Sequence, residues 1–281
     1  MLNIADGKKI ASEILQDLEK RVKALKKQNK QPALAVVLVG DDKPSHTYVR
    51  QKQKAAEQIG VEFYKLEYPA NIGKDELIAE IKKAQKERKL SGLIVQLPVP
   101  ESLWPYTREI VDNIDIRLDV DCLSHCALGR VMMNVSPIVP PTPGAIMEIL
   151  KYYQIALENK HVCLIGRGDL IGRPLASMLT HEKVALSVHG RGTRNLADFT
   201  QTADIIITGV GQKNLLTGDM VKDGVVVIDA GITFTDGKIG GDIDFDSVAK
   251  KASLVTPVPG GVGPVTVAKL LENVVISCER D

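Results

Sequence analysis

Short runs rich in valine and isoleucine alternate with longer amphipathic stretches along almost the whole chain, and that alternation leaves few architectures open. In the first half the apolar runs lie at Ala33 to Gly40, Val61 to Leu66 and Leu93 to Val95, with helical patterns at Thr47 to Ile59 and Lys74 to Lys86. Parallel strands need a crossover long enough to hold a helix, so this order predicts a parallel sheet. A second series follows at His161 to Ile165, Val184 to Val188, Ile205 to Ile207 and Val225 to Asp229. The fold class is therefore α/β, the second half being a Rossmann-like, doubly wound parallel sheet.

The 281 residues suffice for two cores. Between Ser136 and Gly144 the chain holds four prolines in nine residues. Proline fixes φ and donates no N–H, so this stretch is expected to lie outside regular structure and to open a helix at Ala145. The domain boundary is placed there, giving residues 1–139 and 140–264. The helical segment Val265 to Cys278 could, on periodicity alone, dock on either domain.

Charge is nearly balanced, 36 basic against 35 acidic residues, which leaves no electrostatic footprint for nucleic acid or an anionic membrane. No apolar run approaches the roughly 20 residues of a spanning helix. The four cysteines lack the density of a disulfide scaffold, and the first residues, Met-Leu-Asn-Ile-Ala-Asp-Gly, lack the apolar core of a signal peptide. The expected location is the cytoplasm. Cys122-Leu-Ser-His125-Cys126 contains zinc-ligand types but no second cluster of matching spacing accompanies it, so no metal site is expected.

Tyr48 and Lys52 stand four residues apart in a helical pattern and so share a face. A lysine acts as a general base only where burial or a neighbouring cation lowers its pKa; otherwise the pair is a solvated helix surface. Gln96, in Gly92-Leu-Ile-Val-Gln-Leu-Pro98-Val-Pro100, places an amide where a buried strand ends, the edge at which open α/β sheets hold ligands. Gly166-Arg167-Gly168-Asp-Leu-Ile171-Gly172-Arg-Pro174 follows an apolar strand and opens a helix, a turn whose amides can meet a pyrophosphate. Its spacing is one residue longer than the usual dinucleotide fingerprint. The next strand ends His189-Gly-Arg191 with no acid for ribose hydroxyls, and Arg191 with Arg167 could pair a 2′-phosphate, which favours NADP over NAD. Three prolines and three glycines crowd Pro257 to Pro264, a loop that brings bare backbone close to a flat ligand.

Taken in order, Tyr48-Val-x-x-Lys52, Val95-Gln-Leu-Pro-Val-Pro100, Asp119-Val-Asp121, Pro140-Pro-Thr-Pro143, Gly166-Arg167 with Gly172-x-Pro174, Asp229-Ala-Gly231-Ile232, Gly241-Asp242-Ile-Asp244-Phe and Pro257-Val-Pro-Gly-Gly-Val-Gly-Pro264 resemble one family over essentially the whole chain. That family is the bifunctional methylenetetrahydrofolate dehydrogenase/methenyltetrahydrofolate cyclohydrolases, the FolD proteins. The resemblance implies a homodimer whose two domains flank a cleft, with tetrahydrofolate derivatives on the first domain, NADP on the second, and the C-terminal helix 265–281 returning to the first. It implies oxidation of 5,10-methylenetetrahydrofolate and hydrolysis of the methenyl product to 10-formyltetrahydrofolate. By resemblance Lys52 assists proton transfer in hydrolysis, Gln96 hydrogen-bonds and tunes it, Tyr48 packs on the folate rings, and Asp121 binds polar edges of the pterin. Pro98, Pro259, Gly260, Gly263 and Pro264 would complete the substrate site. The cofactor set would be Gly166, Arg167, Gly168, Ile171, Gly172, Pro174, His189, Arg191, Gly209, Gly231 and Ile232.

The chain departs from the family pattern at Leu118 and Cys122 beside Asp121, at Gly168 where a serine is usual, and at His189-Gly-Arg191. Other readings are a dehydrogenase without the hydrolytic step and a nucleotide-binding protein without turnover. A short-chain dehydrogenase also uses Tyr-x-x-x-Lys, but its pair follows the glycine turn, and here it precedes that turn by more than a hundred residues.

Overall fold

The computed structural model describes residues 3–235 and 238–280. The chain runs β1 (Asn3–Ile4), α1 (Gly7–Lys27), β2 (Ala33–Val39), α2 (Lys43–Ile59), β3 (Glu62–Tyr68), α3 (Lys74–Glu87), β4 (Gly92–Val95), α4 (Thr107–Asp112) and α5 (His125–Met132). It continues through α6 (Pro141–Tyr152), β5 (His161–Ile165), α7 (Gly172–Leu179), β6 (Ala185–His189), α8 (Leu196–Thr200), β7 (Ile205–Thr208) and β8 (Val226–Asp229). The hairpin β9 (Thr233–Thr235) and β10 (Lys238–Gly240), α9 (Phe245–Ala249), β11 (Leu254–Val255) and α10 (Val262–Arg280) complete it. Two compact units result, Ser12–Pro141 with Val267–Asp281, and Met1–Ala11 with Thr142–Thr266.

In the first unit β2 lies between β3 and β4, parallel to both, and all seven of its side chains are buried. A parallel strand covered on both faces reads as an unbroken apolar run, which is why Ala33 to Val39 shows no alternation. Helix α2 starts at Lys43, four residues before the periodicity predicts, because Asp42 accepts the Ser45 N–H at 2.8 Å and Pro44 fits the first turn. It ends at Gly60, whose φ of 80° is the left-handed cap glycine tolerates best. Tyr48 and Lys52 thus sit well inside a capped helix. The C-terminal part of α10 packs in this unit: the buried Asn273 Nδ2 donates to the carbonyls of Val120 at 2.8 Å and Val139 at 2.7 Å.

The second unit is built on a six-stranded sheet of order β1-β11-β8-β7-β5-β6, all neighbours parallel. The chain order reverses at β5, with β6 on one side and β7 on the other. Three expectations are corrected here. Residues from Asn3 to Ala11 belong with this sheet, not with the first domain, because β1 pairs β11 with Asn3 opposite Leu254. Both strands are two residues long and carry no readable period. The helix expected from Ala145 begins at Pro141, since the first-turn N–H groups have no intrahelical acceptor and Pro141 and Pro143 forfeit nothing there. Likewise α10 starts at Val262, inside the glycine-rich loop. Among the described residues no helix is long and apolar enough to cross a membrane.

Candidate active site

Lys52 and Tyr48 project from one face of α2. Lys52 Nζ donates to Gln96 Oε1 at 2.9 Å. Gln96 follows β4, is 9 % exposed, and is held at both ends: its N–H donates to the Val37 carbonyl at 2.8 Å and its Nε2 to the Leu97 carbonyl at 2.7 Å. That bond turns the amide oxygen toward lysine, so Gln96 offers it an acceptor. A neutral amine would spend one N–H on that acceptor and keep its lone pair.

Asp121 stands on the turn after the bridge between Leu93 and Asp119. The buried Asp119 carboxylate shapes that turn by accepting the N–H groups of Leu123 at 3.3 Å and Ser124 at 2.9 Å. Cys122 takes φ 55° there, a left-handed conformation that glycine adopts freely, and its thiol side is buried. Burial pushes the Cys122 thiol well up, Asp119 and Asp121 adding to the effect.

Lys52, Asp121 and Tyr48 keep partial exposure. Surrounding protein still governs their ionisation. Burial lowers the pKa of Lys52, and Asp121 opposes it. Burial lifts Asp121 to about 6, against the pull of Lys52 and with a push from Asp119. Tyr48 is raised by burial too. An amine pulled down beside a carboxylate pulled up is what burial does to two charges that it only partly lets pair. Pro98, after the cis Leu97–Pro98 bond, is exposed at the end of the same strand segment.

The glycine turn lies in the other unit, at the reversal of strand order where open α/β sheets bind nucleotides. Gly166 has φ 128°, and a Cβ on Gly172 would lie 2.2 Å from the Gly166 carbonyl oxygen, so backbone meets backbone as a pyrophosphate cradle requires. A Cβ on Gly209, after β7, would lie 3.1 Å from the Ile171 side chain, which ties the two loops together. Pro174 is buried in α7, whereas Gly168 is exposed with open space beside it, so no steric demand replaces the missing hydroxyl. The Arg167 guanidinium lies along the backbone of Gly190, in the segment after β6, and Arg191 is exposed beside it. His189 is 6 % exposed and packs at a tilt against Phe199, ring centroids 4.3 Å apart, with burial lowering its pKa and its buried Nε2 without a hydrogen-bond partner. Gly231 is buried and Ile232 exposed after β8. Pro259, Gly260, Gly263 and Pro264 fall in this same unit, Pro259 and Gly260 on the loop into α10, where Gly260 has φ 109°, and Gly263 and Pro264 in the first turn of the helix.

Sequence reasoning gave no role to Asp119, Asp229 or Asp242. Each is a buried aspartate whose oxygens accept backbone N–H groups. Their sequence signal is an acid inside or beside an apolar run.

A half-buried lysine hydrogen-bonded to a glutamine at a strand end in one α/β unit, and a glycine turn at the switch point of the other, define an α/β protein of two Rossmann-type units. Residues 5–121 match the catalytic domain of tetrahydrofolate dehydrogenase/cyclohydrolase, and residues 140–281 match its NAD(P)-binding domain. The bifunctional protein FolD of Nautilia profundicola is 42 % identical over 275 residues, covering 98 % of this chain and 96 % of that one. The crystal structure of the bifunctional enzyme FolD from Campylobacter jejuni, 39 % identical, superposes with a TM-score of 0.96 over 100 % of this chain and 99 % of that one. That of the Trypanosoma brucei enzyme, complexed with NADP cofactor and inhibitor, is 34 % identical with a TM-score of 0.94, covering 99 % and 98 %. The chain belongs to the tetrahydrofolate dehydrogenase/cyclohydrolase family. It is a bifunctional enzyme of one-carbon folate chemistry, oxidoreductase and hydrolase in one polypeptide.

Proposed function

We propose that the chain oxidises 5,10-methylenetetrahydrofolate with NADP and hydrolyses the methenyl product to 10-formyltetrahydrofolate, with Lys52 as the proton-transfer group of the second step. The hydrogen bond from Lys52 to Gln96 carries this reading. NADP⁺, when bound, supplies the hydride acceptor; the two substrate nitrogens delocalise the cation left behind, so the protein's task is to position the carbon. Hydrolysis then needs water to give one proton to a base as its oxygen bonds the methenyl carbon; the carbinol's remaining proton passes to N5 as the carbon–N5 bond breaks and the oxygen becomes the formyl carbonyl. Lys52, lowered by burial and held by Gln96, takes the first of these protons. The substrate cation disfavours a charged amine and pushes the same way. Tyr48 offers a ring to the folate and Asp121 an acceptor to the pterin edge.

Asp121 raises the Lys52 pKa. If the free amine is the base, hydrolysis gains rate as pH rises through that pKa, and Asp121→Asn moves the inflection to lower pH. An inflection that stays put in the variant would remove Lys52 from the proton path.

The absence of an acid after β6 and the presence of Arg167 and Arg191 there support NADP over NAD. Arg191→Ala is expected to raise KM for NADP by about 10- to 100-fold, the range of one lost charge-assisted hydrogen bond, with KM for NAD unchanged. An equal rise for both nucleotides would place Arg191 outside the 2′-phosphate site. The family resemblance further supports a homodimer, and the buried thiols of Cys122 and Cys163 suit a reducing cytoplasm. The deciding assay supplies 5,10-methylenetetrahydrofolate with either nucleotide and follows reduced cofactor, methenyl and formyl products together. Reduced nucleotide with enzyme-dependent formyl product supports both steps, and methenyl product released beyond its spontaneous hydrolysis leaves a dehydrogenase alone.

A further inference from the structure

Two buried aspartates at the C-terminal edge of the six-stranded sheet do no chemistry in the reactions above, yet the loop after β7 and the segment after β8 both return to them. Asp229, the last residue of β8, accepts the N–H groups of Gly231 at 2.9 Å, Asp242 at 2.8 Å and Ile243 at 3.1 Å, together with the Thr208 hydroxyl at 3.1 Å. Asp242 in turn accepts three successive N–H groups of the loop after β7: Val210 at 2.7 Å, Gly211 at 2.9 Å and Gln212 at 2.8 Å. Asp242 is 0 % exposed and Asp229 1 %, while Gly211 and Gln212 lie at the surface. A Cβ on Gly231 would fall 2.1 Å from the Asp242 carboxyl, so that carboxylate lies flat against the Gly231 backbone.

A carboxylate accepting several backbone N–H groups is a strong, directional tie. Three consecutive N–H groups aimed at one point also form a concavity of the kind that binds anions. Here the protein fills it with its own side chain, which fixes the loop after Gly209 on one side and Gly231-Ile232 on the other. We propose that Asp242, itself anchored by Asp229, is a positioning residue of the nucleotide site, setting the two backbone segments that carry Gly209 and Gly231-Ile232. The inference rests on the nucleotide reading given above. Burial raises the Asp229 pKa, and Asp242 adds to the rise, against the pull of the backbone donors Asp242, Ile243 and Gly231.

Asp242→Asn keeps size but turns one acceptor into a donor facing a backbone N–H. The test titrates the nucleotide-free variant with NADPH by fluorescence, measures KM for NADP in the dehydrogenase reaction, and measures hydrolysis of methenyltetrahydrofolate with no nucleotide present. The expected result is Kd and KM raised together by about tenfold or more, with hydrolysis within about twofold of wild type, because one charged hydrogen-bond partner is lost at the nucleotide site alone. Thr208→Val, which removes only the hydroxyl donated to Asp229, is expected to move Kd the same way by less and serves if the asparagine variant does not fold. Wild-type protein that reduces neither nucleotide overturns the nucleotide reading and this inference with it. Wild-type protein that turns over, with both variants binding NADPH as tightly as it does, overturns the inference alone. A parallel loss of hydrolysis and NADPH binding in folded variants would reduce Asp242 to a structural tie and overturn it as well.

Discussion

Lys52→Met is expected to lower hydrolysis of methenyltetrahydrofolate by about 10²- to 10⁴-fold, the usual worth of a positioned general base, while hydride transfer stays measurable. Methionine retains most of the apolar stem but can neither donate to Gln96 Oε1 nor take a proton. The loss of the buried amine also frees Asp121 from the charge that pulls its pKa down, so the variant's Asp121 titrates higher still. Oxidation of the methylene carbon asks no proton from the enzyme, which is why the two rates should separate. Steady-state assays of each half-reaction on the same preparation check this. Equal loss of both rates in a folded variant would make Lys52 a substrate-binding group only.

The opposite separation is expected from Gly172→Ala. The new methyl group would lie 2.2 Å from the Gly166 carbonyl oxygen and 2.8 Å from the Arg167 Cα, contacts with backbone that no rotamer change relieves. Opening the turn costs on the order of 1–3 kcal/mol, so the dehydrogenase KM for nucleotide should rise by roughly 5- to 150-fold. Hydrolysis without nucleotide, which the proposed mechanism assigns to Lys52 and Gln96 in the other compact unit, should be spared. A normal nucleotide KM in this variant would mean that the turn does not cradle the pyrophosphate. Together the two substitutions would assign one reaction step to each unit.

The parts of this structure legible in the sequence were those written as local periodicity. The strands at His161–Ile165 and Leu93–Val95 and the glycine turn at Gly166–Gly172 could be placed because apolar runs and glycine act over a few residues. The pairing of β1 with β11 could not, since two residues against two carry no period and their partnership spans 251 positions, from Asn3 to Leu254. Pro141 and Pro143 misled because proline forbids the middle of a helix but suits its first turn, and only the helix shows which of the two applies. In the site, Tyr48, Lys52 and Gln96 were readable as residue types, whereas the lowered lysine and raised Asp121 arise from burial that no spacing encodes. Asp229 and Asp242 stood inside quoted motifs without a role, because a carboxylate serving backbone donors looks in sequence like any other aspartate.

Each compact unit is assembled from two separated stretches of chain, and that bears on how the protein acquires its structure during synthesis. A ribosome delivers Ser12–Pro141 long before Val267–Asp281, so the first unit waits for its last helix. Until Asn273 emerges, the carbonyls of Val120 and Val139 have no side-chain amide to satisfy them, across sequence separations of 153 and 134 residues. The second unit waits in the same way, holding Asn3 and Ile4 until Leu254 and Val255 are made. Domain-by-domain maturation behind the advancing ribosome is therefore closed to this topology; contacts of such high order form late, and nascent chains halted short of the last helix should present the first unit to chaperones and proteases as an incomplete core.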